Sequence, residues 1–560
     1  LSFNVHVVFF LKILPQADFS RYRSIMNKLK TFFKKYWLPI LSGILIGFSW
    51  IPFPAWLTWI AWTPLFFWMS SPNRTLRETF WGAWWTQFIL SLIGFHWIAY
   101  VSHVFGFLPK PVAAVVLLLF CAFVHLHIPL MAALSQWVRK KWQIQHVAYV
   151  FTLPFFFSLA EMAWPAIFPW NMGYPLMKNP IPGLSGLIQW ADVIGVAGLS
   201  TLVFFCSSLG AWILIRRNRK ALLTALAFKA VLFGMGLWGQ QRGEEWKKTS
   251  TEKLNTLIVQ ANIGNLEKVY AEKGAGYQQS IADRYFRMTR EGLSKAQSEG
   301  KKVDLIIWPE SAYPDFLNTE YQHRVYSSQL VQFVRDIQTP LLTGAYSRDG
   351  QDVSDKKDYN ALFVFDAFGQ LTTPPYHKTE LLVFGEYTPF GETFPLLKKY
   401  NPAGSGFGRG KGPQIMLMPR EAPKSEVKIG AQICYESLYP EFSRKLALLG
   451  ADVIVNLTND SWFGPTFEPH QHMLMTLSRA IETRRPLIRS TNTGISTVIL
   501  ASGEILEQSP LFEPWSHAYE VFYKPEAPLT FYTKFGAWLP LALLLLLLAI
   551  LRGGRARGTP

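Results

Sequence analysis

The chain has 560 residues, 50% of them hydrophobic and 15% aromatic, a formal net charge of +17 and only three cysteines. So few cysteines exclude a disulfide framework or a cysteine-rich zinc site. The Lys and Arg residues sit in short clusters between apolar runs, which argues against a nucleic-acid footprint and for membrane topology.

Length alone allows three or four domains. Residues 1–25 read as an over-extended start, because Met26 followed by Asn-Lys-Leu-Lys is a more natural beginning. The apolar stretch Val5–Leu14 is too short to span a bilayer and is assigned no function. Eight candidate spans follow: 37–52, 55–70, 79–100, 112–137, 146–163, 191–215, 221–240 and 530–551. Pro52 and Pro54 make the first two a tight hairpin. Basic clusters at Lys28–Lys35, Arg74 and Arg77, Arg139–Lys141, Arg216–Lys220 and Arg552–Arg557 fall on one side if there are eight spans. The positive-inside rule makes that side cytoplasmic.

The expected domains are a transmembrane bundle (26–240), an extracytoplasmic α/β domain (241–529), an eighth span (530–551) and a basic cytoplasmic tail (552–560). A loop rich in Trp and Pro (163–190, with Trp164, Pro165, Pro169, Trp170, Tyr174 and Pro175) suits the headgroup level on the outer side. In the α/β domain, apolar runs at Leu254–Ile263, Val303–Trp308, Pro340–Ala345, Ala361–Phe365, Val427–Ile433, Asp452–Leu457 and Pro486–Ser490 read as strands. The stretches 275–299, 318–337 and 467–484 read as helices. Such alternation implies a layered architecture.

Three segments carry chemistry. Asp304-Leu-Ile-Ile-Trp-Pro-Glu310 puts a carboxylate at the mouth of a strand. Tyr376-His-Lys378 leads through a loop to Glu386. Ile429-Gly-Ala-Gln-Ile-Cys434-Tyr-Glu-Ser ends a strand on a cysteine and opens a helix, a turn that exposes sulfur and aims backbone N–H groups at an oxyanion. A thiol attacks a carbonyl as thiolate, a carboxylate takes its proton, and an ammonium favours both anions. Each piece alone is ordinary.

Together, and in this order, they resemble the nitrilase superfamily, whose members use a Glu-Lys-Cys triad on an α-β-β-α sandwich. The chain resembles more narrowly the apolipoprotein N-acyltransferase family. The motifs are the Trp-Pro-Glu310, Lys378 to Phe-Gly-Glu386, and Ile-Cys434-Tyr-Glu segments. Asn459-Asp-Ser-Trp-Phe-Gly464 and the run from Arg479 to Gly494 extend the match. The departures are mild: Ser461 in the Asn-Asp-x-Trp-Phe-Gly motif, and His377 and Thr379 around the lysine.

The resemblance implies a multi-pass protein of the cell inner membrane with a periplasmic catalytic domain. It implies transfer of an acyl chain from a membrane phospholipid, typically phosphatidylethanolamine, to the α-amino group of the diacylglyceryl cysteine of an apolipoprotein. A thioester on Cys434 is the implied intermediate. Glu310 is then general base, and Lys378 with the backbone near Tyr435 stabilises the oxyanion. Glu386, Tyr435 and Glu436 support, and Trp462 and Phe463 contact substrate. No cofactor, metal or nucleic acid is implied. A membrane-tethered nitrilase-type amidohydrolase is the alternative, separated by whether water or an amine accepts the acyl group. A transporter would need paired intramembrane charges, which the spans do not offer.

Other features carry less. The loop from Gly385 to Gly412, with Phe390, Phe394, Leu396, Leu397 and Phe407, reads as a lid dipping into the bilayer. Gly404-Ser-Gly-Phe-Gly-Arg-Gly410 lacks the strand and helix of a phosphate loop. His125 and His127, two apart in a span, should face different ways, as should His470 and His472, so no metal site is expected. His96 and Glu161 read as membrane-edge polar groups with either packing or function. Arg479, Glu482 and Arg485 read as a structural ion-pair network.

Overall fold

The computed structural model describes residues 19–556, apart from 167, 169, 179–180, 265–266, 268–275, 319–323, 350–356, 384, 392, 395, 397–405, 421–425 and 537, with backbone only at 19–22 and 553–556. The segment Val5–Leu14, Pro169, Leu397, Gly404 and Arg557 lie outside the described residues.

The helical part opens with α1 (Phe19–Gly47), which carries Lys34 and Lys35 near its middle. The region 55–70 is not one helix. It is a 3₁₀ turn, Ala55–Trp59, followed by the short α2 (Thr63–Ser70) with Pro64 in its first turn. Proline breaks a longer helix here because it removes an N–H and clashes with the preceding turn. Apolar on every side, α2 is buried inside the bundle.

The next helix, α3 (Leu76–Gly94), begins on a capping box. Glu78 N–H donates to the Thr75 hydroxyl and Thr75 N–H to the Glu78 carboxylate, satisfying two otherwise orphaned donors. Then α4 (Trp97–Val104) leaves it at 58°. The chain continues through α5 (Lys110–Phe123), α6 (His127–Lys141), α7 (His146–Ala163), α8 (Ala191–Arg216) and α9 (Arg219–Thr249). Four helical runs among the described residues are long and apolar enough to cross a membrane, or five if α3 and α4 are one broken span. Eight long apolar helices are therefore not seen.

From Glu252 the chain builds two mixed sheets. The first, in the order β11-β1-β2-β3-β4-β5, holds β1 (Glu252–Gln260), β2 (Leu305–Ile307), β3 (Leu341–Asp349), β4 (Lys357–Phe365), β5 (Tyr376–His377) and β11 (Trp515–Tyr523). The second, in the order β10-β9-β8-β7-β6, holds β6 (Ile415–Pro419), β7 (Glu426–Ile433), β8 (Val453–Thr458), β9 (Leu487–Thr491) and β10 (Thr497–Ile499). β1-β2-β3 and β7-β8-β9 run parallel, so their C-terminal ends share one mouth each.

The period of two decides the layers. Leu254 and Ile258 of β1 join the core between the sheets, with Met416, Val427 and Ile429 of the second. Leu257 and Val259 turn outward beneath α10 (Gln278–Ser298) and α11 (Val325–Ile337), where Tyr285, Trp308 and Phe333 fill a second core. On the far side lie α12 (Pro440–Leu448) and α13 (Glu468–Thr483). Leu446 of α12 packs on β7 at Gly430. The chain ends in the short α14 (Phe531–Phe535) and the apolar α15 (Trp538–Ala556).

Helix α13 joins this unit to the bundle. The Gln471 amide donates to the carbonyls of Ile51 and Gly94 at 3.1 and 3.0 Å, and accepts from Trp97 Nε1 at 3.2 Å. Helix α8 breaks at Gly195 (φ +69°), and the Val196 N–H beyond it donates to Glu482 at 2.8 Å. A kink frees backbone groups that must find partners elsewhere. Arg484, just past α13, donates to Asp192 of α8 at 2.8 Å.

Candidate active site

Glu310 follows β2, where the backbone of Pro309 and Glu310 lies directly on Gly344 of β3 and leaves no room for a Cβ there. Its Oε1 accepts from Asn360 Nδ2 at 2.7 Å and from Lys378 Nζ at 3.0 Å. Lys378 leaves the end of β5, its N–H held by the Asn360 carbonyl at 2.9 Å. Its Nζ also donates to Glu386 Oε1 at 2.8 Å. Glu386 is fixed in turn by the Leu382 N–H on its other oxygen at 2.8 Å. Burial alone would pull the Lys378 ammonium down; Glu310 and Glu386 outweigh it and hold it well above its usual range. The lysine is a fixed cation.

Cys434 ends β7 and opens the 3₁₀ turn Cys434–Leu438 with φ at +53°, a left-handed conformation costly for a residue with a Cβ. Burial pushes its thiol well up, the Glu310 charge adds to this, and Lys378 and a hydrogen bond from Thr458 pull it back. The Glu310 and Lys378 charges thus act on the thiol in opposite directions. A base, a cation and a nucleophile, all buried, are what attack on an acyl carbonyl requires.

Tyr435 turns away from these charges, its hydroxyl 2.6 Å from that of Tyr439 and its ring 5.9 Å edge-on to Phe168. Glu436 is fully buried and accepts from the Tyr376 hydroxyl and the N–H groups of Thr379, Glu380 and Ile433. It binds the lysine segment to the cysteine turn. Trp462 is 39% exposed and meets Phe105, while Phe463 is buried against Trp97. Both face α4 and its end, at the junction with the bundle.

Sequence reasoning missed Asn360 and Asn456, and gave no role to Asp460 and Arg489 although both lie in the motifs that carry the resemblance. A polar residue inside a largely apolar strand, as at Asn456, is the signal that marks one of them. His472 is a core residue, buried with Nδ1 2.9 Å from Asp460 Oδ1. Asp460, Glu468 and His472 have ligand atoms within 4.8 Å of one another. Arg489 already donates to Asp460 at 2.7 Å, so a positive charge is in place and a metal ion beside it would be repelled.

Other residues singled out by the sequence have defined surroundings. His125 and His127 do not sit on one regular helix, because α5 ends before them; their rings lie 5.7 Å apart. Arg479 pairs with Glu482 at 3.0 Å, but Arg485 instead donates to the carbonyls of Ala451 and Ala527. Glu161 accepts from Asn171 at 2.7 Å, and the His96 ring lies 3.1 Å from the Ile93 carbonyl. In the glycine-rich loop Phe390, Phe394 and Leu396 are exposed, while Phe407 stacks on Tyr346.

Residues 253–515 match the carbon-nitrogen hydrolase family, and residues 42–209 match the apolipoprotein N-acyltransferase N-terminal domain. An amidase from Nesterenkonia sp. is similar at 16% identity and a TM-score of 0.32, over 49% of this chain and 91% of that one. The apolipoprotein N-acyltransferase of Azotobacter vinelandii is 30% identical over 93% of this chain and 96% of its own length. That of Geobacter metallireducens is 28% identical over 86% and 88%. That of Bdellovibrio bacteriovorus is 45% identical over 92% of this chain and 93% of its own length. With both domain matches and that identity along nearly the whole sequence, the chain belongs to the apolipoprotein N-acyltransferase family of enzymes.

Proposed function

We propose that the protein moves an acyl chain from a membrane phospholipid, phosphatidylethanolamine in the first instance, to the α-amino group of the diacylglyceryl cysteine of an apolipoprotein. Glu310 takes the Cys434 proton as the sulfur attacks the ester carbonyl and the C–S bond forms. The oxyanion lies against the Lys378 ammonium and the Tyr435 N–H. Collapse breaks the ester C–O bond, Glu310 returns the proton to the departing alkoxide, and lysophospholipid leaves. The lipoprotein amine then attacks the thioester, passes its proton to Glu310, and the thiol re-forms as the amide is released. Each step balances with the protein's own groups.

The observation that carries this reading is the buried Lys378 ammonium clasped by Glu310 and Glu386. In this reading Glu386, Tyr435 and Glu436 hold the triad, and Trp462 and Phe463 meet lipid where the two parts join. Residues 392, 395 and 397–405 of the loop read as a lid lie outside the described residues. The protein sits in the inner membrane with a bundle at 26–240, a catalytic domain at 241–529 in the periplasm, and 530–551 as the last span. A soluble catalytic fold held on helices brings an insoluble chain and its polar carbonyl to one surface.

Mass spectrometry of the full chain incubated with phosphatidylethanolamine tests the reading. An acyl adduct on the Cys434 peptide, absent in Cys434→Ala and discharged by a diacylated lipopeptide rather than by water, is expected. No adduct in folded protein removes the thioester; rapid discharge by water makes the protein a hydrolase.

A further inference from the structure

Arg489 is fully buried on β9 and lies beside Asn456, its register partner on β8. Register partners in a parallel pair project to the same face. One guanidinium N–H donates to Asn456 Oδ1 at 3.0 Å, and the Asn456 amide donates to the Cys434 carbonyl at 2.9 Å. The same Arg489 nitrogen donates to the Thr476 hydroxyl at 3.3 Å. Thr476 lies 2.7 Å from the Ser437 hydroxyl, which donates to the Cys434 carbonyl at 3.0 Å. Two routes therefore run from one arginine to one carbonyl.

The direction of each route is forced. A guanidinium only donates, so the oxygen of Asn456 must face it and the amide nitrogen must face Cys434. By the same reasoning Thr476 accepts from Arg489 and donates to Ser437. The other end of Arg489 is anchored by Asp460 at 2.7 Å, and Asp460 is anchored by His472 at 2.9 Å.

Holding the Cys434 carbonyl fixes more than the carbonyl. In a trans peptide the C=O and the following N–H point in opposite directions. Two donors on the Cys434 oxygen therefore turn the Tyr435 N–H away from β8. At the first turn of a helix that N–H has no acceptor within the turn. The left-handed Cys434 at φ +53° needs such support, because an L residue does not favour this conformation.

We propose that Arg489 is a positioning residue for the oxyanion site: through Asn456 and through Thr476 and Ser437 it sets the Cys434–Tyr435 peptide so that its N–H meets the developing oxyanion. This rests on the acyl-transfer reading above. The residue touches neither substrate nor sulfur.

Alkylation by iodoacetamide separates this role from general support, because it needs the thiolate but forms no oxyanion. Arg489→Gln and Asn456→Asp are compared with the wild type in the full chain. Asn456→Asp retains the pairing with Arg489 and removes the donor to the Cys434 carbonyl. Both variants should form the Cys434 acyl adduct from phosphatidylethanolamine about 100-fold more slowly. The donor concentration for half-maximal rate should stay the same, as for an interaction made only in the transition state. Each variant adds net negative charge near the thiol, so Cys434 alkylation should also slow, but by less than about tenfold. Equal losses of acylation and alkylation in Asn456→Asp would reduce the network to a structural one and overturn the proposal, as would unchanged acylation. If Arg489→Gln does not fold, Asn456→Asp decides. Absence of any adduct in wild type that still alkylates would instead remove the acyl-transfer reading.

Discussion

The Tyr376 hydroxyl donates to Glu436 Oε1 at 2.6 Å, and this contact ties the strand leading to Lys378 to the turn leading from Cys434. Thr379 and Ile433 N–H groups close on the same carboxylate from the two sides. The two halves of the site, on different sheets, are thus held by one side chain.

That carboxylate should leave a mark on the pH dependence of stability. Burial pushes the Glu436 carboxyl from 4.5 up to about 7, and its four donors pull it back without overcoming burial. The native state then binds the proton more tightly than the unfolded state between these values. The stability from this group is full below 4.5 and is lost as the pH rises through about 7. Glu436→Gln does not titrate. Its Tm deficit relative to wild type should be largest near pH 4.5 and should shrink by pH 7.5, beyond the value of about 7. Thermal unfolding in detergent across this range checks it, and a deficit independent of pH would contradict it.

The lysine makes a different prediction. Lys378→Met leaves Glu310 and Glu386 buried together with no cation, although Asn360 still donates to both. Breaking a buried ion pair by removing one partner costs about 3–5 kcal/mol. Adding Glu386→Gln removes one of the two anions and should restore part of the lost Tm. It should restore no acylation, because the oxyanion still lacks its cation; such a loss is on the order of 10²–10³-fold. Single-turnover adduct formation and Tm on both variants separate the two effects.

Glu310, Lys378 and Cys434 were legible because each ends or follows a strand and each is a reactive type at an element boundary. The strands that flank them were less so. β5 and β10 are too short for any alternation to register, and β11 mixes polar and aromatic residues at the edge of its sheet, where one neighbour replaces two. Span 55–70 has the composition of a membrane helix, yet its prolines stop the chain from forming one. Composition measures solubility in lipid, while helix length depends on where the backbone can continue. Arg489 stands in the run from Arg479 to Gly494 yet received no role, because its partners come from β8 and α13, contacts that exist only once the sheet is built.

The junction between the two parts rests on ions as well as apolar packing. Arg484 donates to Asp192 with two nitrogens, at 2.8 and 2.7 Å, and to Gln189 Oε1 and the Ala501 carbonyl at 2.7 and 2.8 Å. Arg484→Leu strands the Asp192 carboxylate with only Arg242, 2.7 Å away on α9. The expected cost is about 3–5 kcal/mol, because a buried charge loses its main partner. The double variant Arg484→Leu with Asp192→Leu should be more stable than Arg484→Leu alone. A double variant less stable than the single would show that Asp192 finds its stabilisation elsewhere. Denaturation in detergent, followed by tryptophan fluorescence, measures both.

Helix α9 lies against the turn Ser185–Trp190 along a seam of glycines. A Cβ at Gly236 would fall on the Gly183 carbonyl oxygen, and one at Gly239 on the Gly186 carbonyl oxygen. Both obstacles are backbone, so no rotamer change relieves them. Gly236→Ala must push α9 away from the turn, and overpacking of this kind costs about 1–3 kcal/mol or more. Gly234, only two residues earlier on the same helix, has nothing within 4 Å of its Cβ position. There alanine removes only the entropic disadvantage of glycine and should stabilise by about 0.5–1 kcal/mol. The two substitutions are chemically identical and lie within one turn of each other, so helix propensity cannot account for opposite signs. A lower Tm for Gly236→Ala with an equal or higher Tm for Gly234→Ala locates the close approach at the seam, and two changes of the same sign would mean that α9 and the turn are not packed backbone to backbone.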